Sequence, residues 1–156
     1  MTASSETGPP LRLEAHPFTA GLDPEFLARI GRHATERLFE AEEAVVREGD
    51  PAREFFLLFE GKVALEVVVP DRPRRTIQTV GPGEVLGWSW LIEPRRWRLD
   101  ARAMKRTRAL ALDAAELRAA MDERPADGFR FLLRLLPVIT RRLEMTRLQL
   151  LDLHGG

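Results

Sequence analysis

Arg47-Glu48-Gly49-Asp50, Phe56-Leu57-Leu58-Phe59-Glu60-Gly61-Lys62-Val63 and Gly81-Pro82-Gly83-Glu84-Val85-Leu86-Gly87 belong to one stretch, Arg47 to Ala103, in which glycines punctuate short apolar runs. Runs of β-type composition extend from it in both directions: Ala44 to Arg47, Phe55 to Phe59, Val63 to Val69, Thr76 to Val80, Leu99 to Ala103 and Ala109 to Leu112. Several are separated by Gly or Pro, at a spacing that suits an antiparallel sandwich or roll. Pro70-Asp71-Arg72-Pro73 reads as a hairpin loop, because its two prolines cannot donate to a ladder, and the neighbouring Arg74 and Arg75 are expected in solvent.

The flanks of this region are helical. Asp23 is placed to cap, Pro24 to occupy the first helical position, and Phe26, Leu27 and Ile30 to share a face, so a helix is expected to end near His33. Asp113-Ala114-Ala115-Glu116 has capping-box spacing ahead of Leu117 and Met121. After Arg124-Pro125, apolar or small residues recur at Leu132, Leu136, Ile139, Leu143, Thr146, Leu150 and Leu153 in steps of four and three, a heptad seam. A continuous helix from Asp127 to Leu153 would reach roughly 40 Å. Pro137 either kinks that helix, at a cost of about 3 kcal/mol, or opens a second helix at its first turn, which is the preferred reading. Residues 1–15, rich in Thr, Ser, Gly and Pro, read as a disordered tail.

Composition excludes several functions. The 156 residues suit one core, and 24 basic residues balance 24 acidic ones, so no global field draws the chain to nucleic acid or to an anionic membrane. Without cysteine there are no disulfides, thiolate metal sites, iron–sulfur clusters or cysteine nucleophiles. Neither a signal-peptide pattern nor a run of about 20 apolar residues is present, so a cytoplasmic protein without membrane attachment is expected.

The glycine spacing and the element order together resemble the cyclic-nucleotide-binding domain family over roughly Leu22 to Leu153. The resemblance implies a mainly β fold with flanking helices: a double-stranded β-helix, or jelly roll, followed by a long C-terminal helix. The corresponding division is a tail at 1–15, a β-roll with its N-terminal helix at 16–124 and a dimerisation helix at 125–156. In that family a phosphate-binding cassette begins at the glycine matched by Gly87, and it is a short helix flanked by loops whose orphan amides and dipole favour an anion. The segment here is Gly87-Trp88-Ser89-Trp90-Leu91-Ile92. The resemblance also implies that the long helix pairs with its twin, giving a homodimer; the alternative is that it folds back on its own roll.

Two departures bear on the ligand. Family members that bind cyclic nucleotides carry a glutamate after the glycine, for the ribose hydroxyl, and an arginine near the cassette's end, for the phosphate. Here Trp88 takes the first place. Counting back from Ala101-Arg102-Ala103 puts Trp97 in the second, with Arg98 beside it. Indole has one donor and no acceptor, so Trp88 cannot replace a carboxylate. The candidate ligand-binding residues are therefore Val85, Leu86, Gly87, Trp88, Ser89, Trp97 and Arg98. All three tryptophans fall in this segment. They either form an aromatic pocket for a planar or anionic ligand, helped by Arg95, Arg96 and Arg98, or fill the space a nucleotide would occupy, and the filled pocket is preferred. Arg95, Arg96, Arg102, Arg106 and Arg108 form a local basic run that reads as solvated before it reads as a docking site, since Asp100 interrupts it.

Catalysis is not expected. His16, His33 and His154 lack metal-ligand spacing, Ser89 has no partner base, and Glu84 and Glu93 are loop residues. No cofactor or metal is expected. The long helix is followed only by His154-Gly155-Gly156, so direct DNA binding through a helix-turn-helix is not expected either. These readings converge on a non-enzymatic regulatory or interaction module, dimeric, with a protein partner and a ligand site altered by tryptophans that does not take cyclic AMP in the usual way. The alternative is a sensor that binds a cyclic nucleotide or another small anionic or planar ligand at the cassette and signals through the C-terminal helix.

Overall fold

Seven residues from Glu54 to Glu60, all apolar between the two glutamates, form strand β3 (Glu54–Glu60), and β3 is buried on both faces. An unbroken apolar run requires a partner layer on each side. One side is the roll interior, where Phe56 meets Phe39 and Trp97. On the other side Phe55 meets Phe18, Trp90 and Phe131, which belong to the helical layer and the loops beside it. The computed structural model describes residues 8–155, with side chains to Asp152.

The remaining strands are β1 (Thr35–Phe39), β2 (Ala44–Val46), β4 (Val63–Val67), β5 (Arg75–Val80), β6 (Val85–Leu86), β7 (Asp100–Ala103) and β8 (Thr107–Asp113). They form two four-stranded antiparallel sheets, ordered β1-β8-β3-β6 and β2-β7-β4-β5, which is the expected jelly roll. Among the described residues three α-helices flank it: α1 (Pro24–Gly31), α2 (Ala114–Glu123) and α3 (Pro125–Gly155). Asp23 accepts from the amides of Glu25 and Phe26, and Asp113 accepts from that of Glu116, so both caps form as their spacing predicts. Two strands escape the sequence reading. β1 is an edge strand whose Glu36 and Arg37 interrupt the apolar pattern, and β6 has two residues, paired with Phe56 and Leu57 of β3. Among the described residues no helix is long and apolar enough to cross a membrane.

Two expectations need correction. Residues 1–7 of the expected tail lie outside the described residues, but residues 8–15 are packed on the roll. Leu11 donates its amide to Glu36, the Pro9 carbonyl accepts from Arg108, and Leu13 is buried in a 3-10 turn over Gly31. Such contacts with distant strands leave no local period to read. Pro137 does not open a second helix, because α3 runs through it without a break. Tertiary contacts hold the helix on both sides of the proline: buried Phe131 and Leu135 before it, and Arg142 bonded to Gln78 after it. Leu133, whose carbonyl loses its donor to Pro137, is on the exposed side of the helix.

His16 belongs to this core as well. It is 1% exposed, with Nε2 donating to the Leu58 carbonyl at 2.8 Å and Nδ1 accepting from the Phe18 amide at 3.1 Å. Burial lowers its pKa from 6.5, so the ring is neutral in the folded chain while the unfolded chain protonates first. The stability that His16 contributes is present above the unfolded value of 6.5 and is lost as pH falls below it. Urea midpoints should therefore drop more between about pH 7 and pH 5 for the native chain than for His16→Gln, which keeps a donor for Leu58 without titrating. Parallel pH dependences would remove His16 from this account.

Candidate functional site

The site is built where β6 ends. Pairing with β3 brings Leu86 opposite Phe56 and delivers Gly87, at φ +74°, to the rim of the roll. A Cβ on Gly87 would stand 2.5 Å from the Trp97 ring, so glycine is required by backbone conformation and by space. The Trp97 backbone is itself pinned. Its amide donates to Asp50 at 2.9 Å, its carbonyl accepts from Gly49 at 2.8 Å, and Ala52 donates to Arg95 at 2.8 Å. This short ladder leaves Arg96 and Arg98 exposed and buries the indole between them.

The cassette itself differs from the expected short helix. Trp88 to Leu91 form a hydrogen-bonded turn, with the Leu91 amide donating to Trp88, and no helix is formed between Gly87 and Leu99. The three tryptophans take three destinations. Trp90 is fully buried beside Phe55 and Phe131, and Trp97 lies against Gly87 and Phe56. Trp88, half-buried, faces the space between the roll and α3, which the edge of Trp97 also borders.

That space is a cavity of about 290 Å³, where the sequence reading preferred a filled pocket. Leu86, Gly87, Trp88, Ser89, Trp97 and Arg98 line it on the cassette side, and Ile139, Arg142, Leu143 and Thr146 line it from α3. Val85 is turned away, toward a separate groove of about 670 Å³. The lining of the 290 Å³ cavity is largely apolar and includes no carboxylate among the described residues.

Arg142 is the residue that the sequence reading missed. Its guanidinium lies 4.9 Å over the Trp88 ring, and its Nε donates to Gln78 at 3.0 Å. Burial pushes its pKa down to about 10, against the opposing charge of Glu84. It reads locally as one more polar break in the heptad pattern, and only the approach of β5 to α3 makes it a pocket residue.

The expected seam divides between two faces. Leu132, Leu136 and Leu150 are exposed, Leu143 is exposed and also borders the cavity, Ile139 and Thr146 turn toward the roll, and the side chain of Leu153 lies outside the described residues. Phe129 and Leu133 add to the exposed face. The basic run is largely engaged within the chain. Arg102 bonds Glu66 and Glu42, Arg108 bonds Glu36 and Glu60, Arg96 bonds the Gly49 carbonyl and Arg95 lies by Glu93.

A family model described as the cyclic nucleotide-binding domain matches residues 36–124. A CRP-like cAMP-activated global transcriptional regulator of Mycobacterium tuberculosis is 26% identical over 133 residues, covering 85% of this chain and 58% of the regulator. The chain thus spans less than two thirds of the length of the curated relatives it matches. Among solved structures, a protein described as cyclic nucleotide-binding, from Geobacter metallireducens GS-15, is 30% identical with a TM-score of 0.75, covering 85% of this chain and 96% of that one. The N-terminal domain of a transcriptional regulator from Streptomyces coelicolor A3(2) is 28% identical with a TM-score of 0.62, covering 88% and 94%.

The contact between Gly87 and Trp97 yields a direct test. Gly87→Ala should destabilise the chain by about 2 kcal/mol or more, since it combines a left-handed backbone with overpacking. Trp97→Phe should relieve part of that cost. Urea unfolding of both single variants and the double variant measures the coupling, and strict additivity would contradict the contact.

Proposed function

The chain belongs to the cyclic nucleotide-binding domain family, and from that membership we propose that it is a non-enzymatic, cytoplasmic regulatory module whose ligand site no longer holds cyclic AMP in the usual way. The observation that carries this reading is the placement of the two indoles. Trp97 presses on Gly87 where the family's phosphate-binding arginine is expected, and Trp88 stands where a carboxylate would accept from ribose. Loss of the cassette helix removes a further source of anion attraction. The regulatory part of the reading is supported by the relatives, which are described as transcriptional regulators.

The module acts as a homodimer through α3 and passes its signal to a protein partner. Supporting this, α3 leaves Phe129, Leu133, Leu136, Leu143 and Leu150 exposed at steps of three, four and seven, the spacing of a pairing stripe. Its opposite face carries Phe131, Leu135 and Arg142 onto the roll, so a change at the pocket is transmitted directly to the pairing helix. The open cavity favours a second reading within the same frame: the module senses a small molecule other than a cyclic nucleotide.

Titration with cyclic AMP or cyclic GMP, followed by tryptophan fluorescence, should give no saturable change up to about 1 mM, the weak end of specific binding. Saturation at micromolar nucleotide would sink the altered-site reading. Leu136→Asp, on the exposed face and away from the cavity, should convert a dimer to a monomer on gel filtration without loss of helical circular dichroism. An unchanged elution volume would remove α3 as the dimer element.

A further inference from the structure

Resting on the reading of the site as a small-molecule pocket with an altered cassette, we infer that Arg142 supplies the anion-binding group of the cavity, and that the ligand class is a compact, mostly apolar carboxylic acid. The cavity provides for the two halves of such a molecule separately. Ile77, Leu86, Leu99 and Ile139, with the Trp88 and Trp97 rings, form walls against which an aliphatic or aromatic body loses water. At about 290 Å³ the space is at the lower end for ligand sites, near 300 Å³, which limits the body to one ring or a short chain.

Arg142 provides for the head. Its Cζ lies 4.9 Å over the centre of the Trp88 ring and its Nε donates to Gln78, while no hydrogen bond or ion pair reaches Nη1 or Nη2 among the described residues. A guanidinium held by an indole and an amide, with a free pair of nitrogens, matches a carboxylate, which can accept two parallel hydrogen bonds. The cation is also taken partly out of water without an acidic partner in contact, and burial lowers its pKa, so a bound anion would relieve a standing electrostatic cost. Other cations are less suited. Arg98 lines the cavity but is solvent-exposed, and Arg102 and Arg108 are already paired with carboxylates.

The orientation follows from where Arg142 stands. It lines both the cavity and the larger groove beside Thr76 and Glu84, so the head lies at the boundary and the body points inward toward Gly87. A ribose fits this arrangement poorly, because no carboxylate lines the cavity to accept from its hydroxyls. The anion site thus moves from the cassette, where Trp97 occupies the position, to the helix that carries the exposed apolar stripe.

The test is calorimetric titration of the intact chain with 3-phenylpropionate, phenylacetate and hexanoate, with their neutral amides, with inorganic phosphate and with cyclic AMP. At least one acid should bind saturably and at least tenfold more tightly than its amide, with a change in tryptophan emission. Arg142→Gln should weaken the acid at least tenfold and leave the amide unchanged, and Arg142→Lys should retain part of the preference; circular dichroism checks that both variants are folded. Equal binding of acid and amide, indifference to Arg142→Gln, or phosphate bound as tightly as the acids would overturn the inference. Failure of all three acids together with cyclic AMP would overturn it too, while leaving the altered-site module standing. Tight cyclic AMP binding that survives Arg142→Gln would overturn both.

Discussion

Burial of β3 on both faces is the constraint on which the rest of the molecule depends. Phe55 and Phe56 are adjacent and point to opposite sides, so each recruits its own layer. Phe18, Trp90 and Phe131 gather around the first, and Phe39 and Trp97 around the second. The loop after β6 is shaped by this division, because it must send one indole to each side of the same strand. Trp88 is what remains, and it lines the pocket together with the edge of Trp97.

Charge is organised by the same economy of local pairing. Arg108 is 6% exposed at its side chain and bonds Glu60, Glu36 and the Pro9 carbonyl, which ties the N-terminal segment to β8. Glu66, 3% exposed, is held by Arg102 and Arg74 on the other sheet. Removing one member of such a set leaves a poorly solvated charge, so these arginines are committed to structure. Arg142 differs in kind, being partly buried with an amide and an indole for neighbours and, among the described residues, no carboxylate in contact.

α3 connects the two themes. One face is part of the core through Phe131 and Leu135, and reaches the pocket through Ile139 and Arg142. The opposite face is apolar and open. On the proposed reading, such a helix would convert a small change in how Arg142 is held into a change in the presentation of its outer stripe. The helix runs without a break through Pro137.

Most strands, both helix caps and the long helix were legible in the sequence, because glycine punctuation, capping spacing and apolar period are local signals. Gly87 was legible for the same reason, and so was the absence of an acceptor at Trp88. The packed segment 8–15, strand β1, the passage of α3 through Pro137 and the role of Arg142 were not. Each is settled by a contact between residues far apart in the chain: Arg108 with Pro9, β1 with β8, Gln78 with Arg142. The sequence by itself determined a mainly β roll with flanking helices. Only the tertiary structure decided which indole fills, which one lines and which cation faces the cavity, since those outcomes depend on how packed layers share space and not on the order of residues within any one of them.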